Sequence, residues 1–406
     1  MTTPSAPSLT TGARTPPHVF TLILIAGASV MAMNVFLPVL PLIGRDLGVS
    51  DATTQYVLTL YLAATGILQL FIGPLSDRYG RRPVILWAIA IFLLGTLVCI
   101  FSTSITWLLI GRLLQASSAA CMALSRAIVR DMHGRERAAS MIGYITMAMA
   151  VMPMISPTLG GYIGEAFGWR ATFWILFALG ITMLLLTWFD LGETHTPSQS
   201  SVSRQVADYK SLLKEPAIWG YISTATLGSG AYFSFLGGAP FVGLDILGLS
   251  PSEVGPYFAL VALGYMGGNF ITGRFAERIG IEPMMLYGSL IGLLGTIIAL
   301  FLMGLFTPHP LFLFVPMMFV GFGNGMMLPN ANAGAVSVRP DLAGSASGLA
   351  GSLQIGIGAV LATIAGSLIS VENAAMPLYI VMALSTLSGT FSAIWMWRRA
   401  RAGIAN

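Results

Sequence analysis

Long apolar runs separated by short polar links set the pattern of this chain. Twelve such runs can be drawn, and each reaches the roughly 20 residues that span a bilayer. Backbone groups in lipid need partners within their own segment, so runs of this length predict helices. The short alternating strands of a membrane β-barrel are absent. The predicted spans cover 19–42, 53–74, 83–103, 106–130, 138–163, 169–190, 217–242, 253–275, 283–304, 310–334, 342–368 and 374–397.

A polar, basic turn between the second and third runs occurs twice in the chain. GPLSDRYGRRP at 73–83 returns 200 positions later as GRFAERIGIEP at 273–283. An internal repeat of this length indicates two copies of one unit. We therefore predict an all-α membrane protein of twelve transmembrane helices in two pseudosymmetric six-helix bundles, at 18–190 and 217–397.

The remaining segments are predicted as tails and one central link. The proline-containing residues 1–17 suggest a disordered cytoplasmic tail, and 398–406 form a basic cytoplasmic tail. The link at 191–216 carries Val206, Tyr209, Leu212 and Leu213 at helical spacing. That spacing fits an interfacial amphipathic helix, although a tolerated linker explains it equally well.

Composition agrees with a bilayer as the main solvent. The 406 residues are 55% apolar and 9% charged, whereas soluble domains average about 25% charged. With the N-terminus in the cytoplasm, sixteen of the twenty Lys and Arg residues fall on the cytoplasmic side and two on the other. This asymmetry predicts that both termini are cytoplasmic. It also explains the excess of Lys and Arg over Asp and Glu, so a nucleic-acid partner is not needed to account for that excess.

Sequence signals for catalysis are missing. The chain has no GxxxxGK phosphate loop, no HExxH and no cysteine-histidine cluster, and its two cysteines, Cys99 and Cys121, lie inside apolar runs. We expect no enzyme, no cofactor, no metal and no disulfide.

Polar groups at membrane depth are costly and are therefore candidates for function. Arg112 lies about six residues into the fourth predicted span, and Asn34 lies well inside the first. Gln115 and Asn330 are further amides at depth, for which a simple interhelical hydrogen bond is the alternative explanation. All sixteen carboxylates lie at span ends or in links, so no obvious acid titrates at mid-depth.

Aromatic and methionine side chains could line a substrate cavity, because such cavities are mostly apolar with few polar anchors. Helix packing or lipid contact accounts for many of them equally well. The candidates are Phe36, Tyr61, Met152, Tyr232, Phe235, Tyr257 and Tyr265.

GPLSDRYGRRP resembles the loop motif of the major facilitator superfamily. Arg112 and Gln115 in GRLLQASSA resemble its fourth-span motif, and SPTLGG at 156–161 is similar to the fifth-span motif of drug:proton antiporters with twelve spans. NVFLPVLP, SRAIVRDM and SGLAGSLQIGIGA look most like the bicyclomycin and chloramphenicol/florfenicol resistance branch. The resemblance covers essentially the whole chain.

The resemblance implies a carrier whose two halves rock around a central cavity, with the loop motif closing the cytoplasmic side. The implied gating and coupling residues are Gly73, Asp77, Arg78, Gly80, Arg81, Arg130, Asp131, Pro157 and Gly161. Asn34 departs from the branch, in which an acid often stands. Either another acid couples transport to protons, or substrate preference has moved away from cationic drugs.

Taken together, these patterns predict a monomeric secondary transporter of the bacterial inner membrane that exports small amphipathic drugs by proton antiport. A carrier of one specific metabolite, exported or imported, is the first alternative. A non-transporting receptor or scaffold is the second, and the short links weigh against it because such proteins usually carry large extra domains.

Overall fold

The apolar runs form α-helices along nearly the whole chain. A computed structural model describes residues 17–132, 135–194, 202–369 and 376–402, and no β-strand occurs in these ranges. Residues 1–16 of the predicted N-terminal tail, 195–201 of the link and 403–406 of the basic tail lie outside them. The all-α prediction is confirmed.

Within the described residues, the N-terminal half contains nine helices, several of them consecutive parts of one predicted span. They are α1 (Val19–Asn34), α2 (Leu40–Leu47), α3 (Asp51–Thr54), α4 (Tyr56–Tyr79), α5 (Arg81–Ile100), α6 (Ile105–Gln115), α7 (Ala119–Met132), α8 (Arg135–Phe167) and α9 (Arg170–Asp190).

In the described parts of the link and the C-terminal half lie seven further helices. They are α10 (Val202–Leu212), α11 (Pro216–Phe241), α12 (Pro251–Ile279), α13 (Ile281–Leu305), α14 (Pro310–Val338), α15 (Ala343–Ser367) and α16 (Met376–Arg401).

Ten helical segments of the described chain are long and apolar enough to cross a membrane. Two further long helices, α8 and α11, occupy the places of the fifth and seventh predicted spans. The exact number of twelve spans therefore stays a prediction.

Two local breaks follow directly from the sequence. After α1 the chain passes through a short 3₁₀ turn, Leu37–Val39, because Pro38 and Pro41 cannot donate backbone hydrogen bonds. At Gly80 and Gly280 the backbone adopts φ of 97° and 94°, which favours glycine, and each glycine separates two long helices. The repeated turn thus has the same backbone geometry in both halves.

The buried core shows where the two halves meet. One large apolar cluster includes Val35 and Phe173 from the first half together with Phe235, Phe258 and Phe314 from the second. Toward the repeated turns, by contrast, each half has a separate cluster of its own. The halves therefore share one core at the end remote from the Gly73–Pro83 turn, whereas toward that turn they still meet where α4 packs on α15, since a Cβ on Gly66 would lie 3.1 Å from the Ser352 carbonyl oxygen.

Candidate functional site

A cavity of about 290 Å³ lies between the halves. Its wall combines apolar side chains with three amides, two tyrosines and one arginine, from helices of both halves. The described lining residues are Val30, Met33, Asn34, Arg126, Thr146, Met149, Ala150, Pro153, Ser229, Tyr232, Phe233, Phe258, Val261, Ala262, Tyr265, Gly321, Asn324, Leu328 and Gln354.

Close packing of α8 against α12 bounds the cavity at the end remote from the Gly73–Pro83 turn. A Cβ atom placed on Gly255 would lie 2.6 Å from the carbonyl oxygen of Pro157, and one on Gly161 would meet the carbonyl of Pro251. Only glycine permits this backbone approach. Pro157 and Gly161, both predicted gating residues, therefore lie at the contact between the halves.

Two polar contacts join the halves at the same end. Arg45 forms an ion pair with Asp245, and the Glu165 carboxylate accepts a hydrogen bond of 2.9 Å from the Ser252 backbone nitrogen. Such exposed pairs contribute little stability individually, but they close the end beyond the glycine contact. We call the α8–α12 contact with these two pairs the closed end.

The Gly73–Pro83 turn lies at the opposite end and makes its ion pairs within the first half. Arg81 contacts the Asp77 carboxylate at 2.7 Å and the Asp131 carboxylate at 3.0 Å, so it ties α4 to α7 through α5. Glu193 accepts hydrogen bonds from the backbone nitrogens of Arg81 and Arg82, as the positive end of a helix favours. We call this group of residues the latch.

The other predicted gating residues near this turn make weaker contacts than Arg81. Arg78 lies over the Tyr79 ring at 5.3 Å, and Arg130 is exposed. Gly73 approaches Gln205 of the link helix α10, and its carbonyl accepts from the Ser76 hydroxyl. These placements bring the latch next to the link.

The link helix α10 contacts both halves beside the latch. The Tyr209 hydroxyl donates to the Leu70 carbonyl of α4 at 3.1 Å, and the same oxygen faces Gly348 of α15. Burial raises the pKa of the Tyr209 phenol, so the hydroxyl keeps its proton and the hydrogen bond at physiological pH. The interfacial role predicted for this segment stays a prediction.

Arg112 does not line the cavity; it lies in the interior of the first half with no exposed surface. Its guanidinium donates to the carbonyls of Val57 at 3.0 Å and Ala32 at 3.1 Å, and to the Gln115 amide oxygen at 2.6 Å. These acceptors connect α4, α1 and α6, so Arg112 joins three helices.

Two aromatic rings complete the surroundings of this buried cation. Phe36 and Tyr61 place their ring centres 4.2 Å from the Arg112 guanidinium, and Gln115 donates onward to the Thr96 hydroxyl at 2.8 Å. Cation–π contact stabilises a desolvated guanidinium. Four residues predicted for the substrate site, Phe36, Tyr61, Arg112 and Gln115, thus form one structural cluster behind the cavity wall.

The remaining predicted substrate residues divide into two groups. Asn34, Tyr232 and Tyr265 line the cavity. Phe235 and Tyr257 pack with Phe314 in an aromatic group. The other two also lie outside the wall, since Met152 packs on Gly27 and Asn330 donates to the Met326 carbonyl at 2.6 Å.

The main residue that sequence reasoning left out is Arg126, which lies on the cavity wall. It is the only charged side chain among the described lining residues. The available signal was its depth: like Arg112, it lies within the fourth predicted span, where a charge is costly. It also lies within SRAIVRDM, one of the segments that carry the resemblance, although that resemblance assigned roles only to Arg130 and Asp131 of this segment.

These features define a helical membrane carrier with two repeated halves around a central cavity. A sequence profile of the Major Facilitator Superfamily matches residues 22–363, and the chain belongs to this family.

Similar proteins cover nearly the whole chain. An uncharacterized MFS-type transporter, YdgK of Bacillus subtilis, is 31% identical over 92% of this chain and 93% of its own. Multidrug resistance protein D of Escherichia coli is 32% identical over 86% and 88% of the two chains. A bicyclomycin resistance protein homolog of Haemophilus influenzae is 28% identical over 91% and 94%. The sequence resemblance to this branch is confirmed.

Solved structures support the fold. The crystal structure of a peptide transporter, POT, in complex with sulfate matches with a TM-score of 0.76 at 13% identity, covering 94% of this chain and 95% of the other.

Proposed function

We propose that this protein exports small amphipathic compounds across the bacterial inner membrane in exchange for protons. The observation that carries the proposal is the cavity between two halves, bounded at the end remote from the latch by the backbone contact of α8 with α12. Alternating access uses such an arrangement. Rocking of the halves would separate α8 from α12 and bring the halves together on the latch side of the cavity.

The composition of the cavity wall favours amphipathic compounds of modest size. Met33, Met149 and Phe233 supply an adaptable apolar surface, and the amides of Asn324 and Gln354 supply a few polar anchors. Relatives named for multidrug and bicyclomycin resistance support an export role.

We propose proton coupling on the basis of the resemblance to drug:proton antiporters. Asn34 stands on the wall where an acid is common in this branch, and the described wall carries no carboxylate. We therefore propose that the proton is carried by an acid away from the wall. A carrier for one specific metabolite is the second candidate, favoured by the small cavity with a single charged anchor.

A resistance panel in a bacterial host lacking its main pumps tests the export proposal. Expression should lower the accumulation of at least one amphipathic compound, and a protonophore should abolish the effect. Ala262→Trp fills the cavity and should remove the effect, because Ala262 lies on its wall. The matched control, Leu263→Trp, adds the same ring at the next, exposed position of α12 and should retain it.

Other outcomes decide against this reading. If no compound is excluded while one cellular metabolite changes in amount, the protein is a specific carrier. If neither changes although the protein reaches the membrane, transport itself is the wrong conclusion.

A further inference from the structure

Arg126 is a cation on the cavity wall for which the described residues offer no hydrogen-bond or ion-pair partner. It extends from α7, and within the described residues it makes no hydrogen bond and no ion pair. Arg112, fourteen positions earlier on the same predicted span, has three hydrogen-bond acceptors and two aromatic rings. The two arginines therefore differ: Arg112 makes three hydrogen bonds with the fold, although its Nη2 lacks a partner among the described residues, whereas Arg126 makes none and is left for water or a ligand.

The surroundings of Arg126 make the cavity electropositive. Tyr265 of α12 and Arg130, one helical turn further along α7, are the groups close enough to act on it electrostatically. Asp131, the nearest carboxylate in the sequence, contacts Arg81 of the latch at 3.0 Å. The polar groups on the rest of the described wall are uncharged amides and hydroxyls.

An unpaired charge at membrane depth is expensive, and on a cavity wall either water or a bound anion can compensate it. A guanidinium presents two parallel N–H donors that match a carboxylate in a bidentate pair. Phe258 and Val261, together with Met149 on the facing helix, offer apolar surface to the rest of such a molecule.

We propose that the cavity selects amphipathic monoanions, with a carboxylate bound to Arg126 and an apolar body packed between α8 and α12. The same charge disfavours cationic compounds, because no carboxylate on the described wall offsets it. This inference rests on the proposed function in one respect: the carried compound must occupy this cavity.

Three probes with the same naphthalene body test the assignment: 2-naphthoate, 2-naphthamide and 2-naphthylmethylammonium. Binding to the purified full chain in nanodiscs of uncharged lipid is measured by calorimetry at neutral pH. The wild type should bind naphthoate at least about tenfold more tightly than naphthamide, the gain typical of a hydrogen bond to a charged group. The ammonium probe should bind most weakly.

Variants connect the preference to one side chain. Arg126→Gln should bind naphthoate and naphthamide equally, with naphthamide affinity near that of the wild type. Arg126→Lys keeps the charge but loses the planar fork, and should show an intermediate preference. Arg274→Gln is the matched control, since it removes the same charge from an exposed position of α12 and should retain the full preference.

The proposal is overturned if the wild type binds naphthoate and naphthamide equally, or if Arg126→Gln keeps the preference. If Arg126→Gln does not fold, the wild-type probe series and Arg126→Lys still decide. Transport is measured separately, as the accumulation of compounds in the resistance panel. Export without an anion preference rejects this inference alone, whereas a strong anion preference without any export rejects the proposed function.

Discussion

At the scale of single residues, the two arginines of the fourth predicted span show how burial and hydrogen bonding assign different roles. Arg112 donates to three helices and lies between two aromatic rings. Its net effect is to hold α1, α4 and α6 in register behind the cavity. Arg126 has none of these contacts and lies on the wall. A charge at membrane depth thus indicates a role, and its contacts show whether that role is to hold helices together or to face the cavity.

Replacing Arg112 by lysine should destabilise the protein although the charge is kept. A single ammonium cannot reach all three acceptors, and the loss should be on the order of 2 kcal/mol. Thermal unfolding can be followed with a thiol-reactive dye, because the native Cys99 and Cys121 are buried in the folded protein.

Arg126→Lys is the control for this measurement, since Arg126 makes no hydrogen bond with the described residues. It should unfold at the wild-type temperature. An Arg112→Lys protein as stable as the wild type would show that the three hydrogen bonds are dispensable.

At the scale of helices, the contact of α8 with α12 separates the cavity from the closed end. The glycines on this contact, Gly161 and Gly255, allow the backbone of one half to touch that of the other. The cavity begins about one turn further along each helix, at Pro153 and Phe258. A few ångströms of separation between these helices would therefore open the cavity to the other side.

Gly255→Ala should shift the protein toward that second arrangement. The added methyl would lie 2.6 Å from the Pro157 carbonyl oxygen, so the helices must move apart. A Ser229→Cys substitution on the cavity wall reports the change through its labelling by a membrane-impermeant maleimide in intact cells. We expect the labelling rate to rise severalfold.

Gly292→Ala is the matched control for this experiment, because nothing lies within 4 Å of a methyl at that position. It should leave the labelling rate unchanged. Equal rates for Gly255→Ala and the unaltered Ser229→Cys protein would mean that the α8–α12 contact is not the barrier.

At the scale of the whole molecule, the charge distribution and the position of the cavity give one orientation. The latch and the basic C-terminal end of α16 belong to the side rich in Lys and Arg, which the positive-inside rule assigns to the cytoplasm. We therefore propose that the closed end faces away from the cytoplasm and that the cavity lies on the cytoplasmic side of the α8–α12 contact. This is the arrangement in which an exporter takes up its substrate.

Reporter fusions at the C-terminus check this orientation. Green fluorescent protein fused after residue 406 should fluoresce, and alkaline phosphatase at the same place should be inactive, since both report a cytoplasmic position. Phosphatase inserted after Gly248, at the closed end, should be active. The reverse pattern would show the opposite orientation in the membrane. The observed arrangement would then be that of an importer.

The sequence by itself determined the helical membrane fold, the two repeated halves and the family, because apolar length and motif spacing are local properties of the chain. It also identified the arginines at depth and the polar groups Asn34, Tyr232 and Tyr265 of the wall. Only the tertiary structure decided which side chains face the cavity. Arg112, Phe36 and Phe235 are buried behind it and Arg126 lies on it, since the rotation and tilt of each helix depend on packing against distant helices.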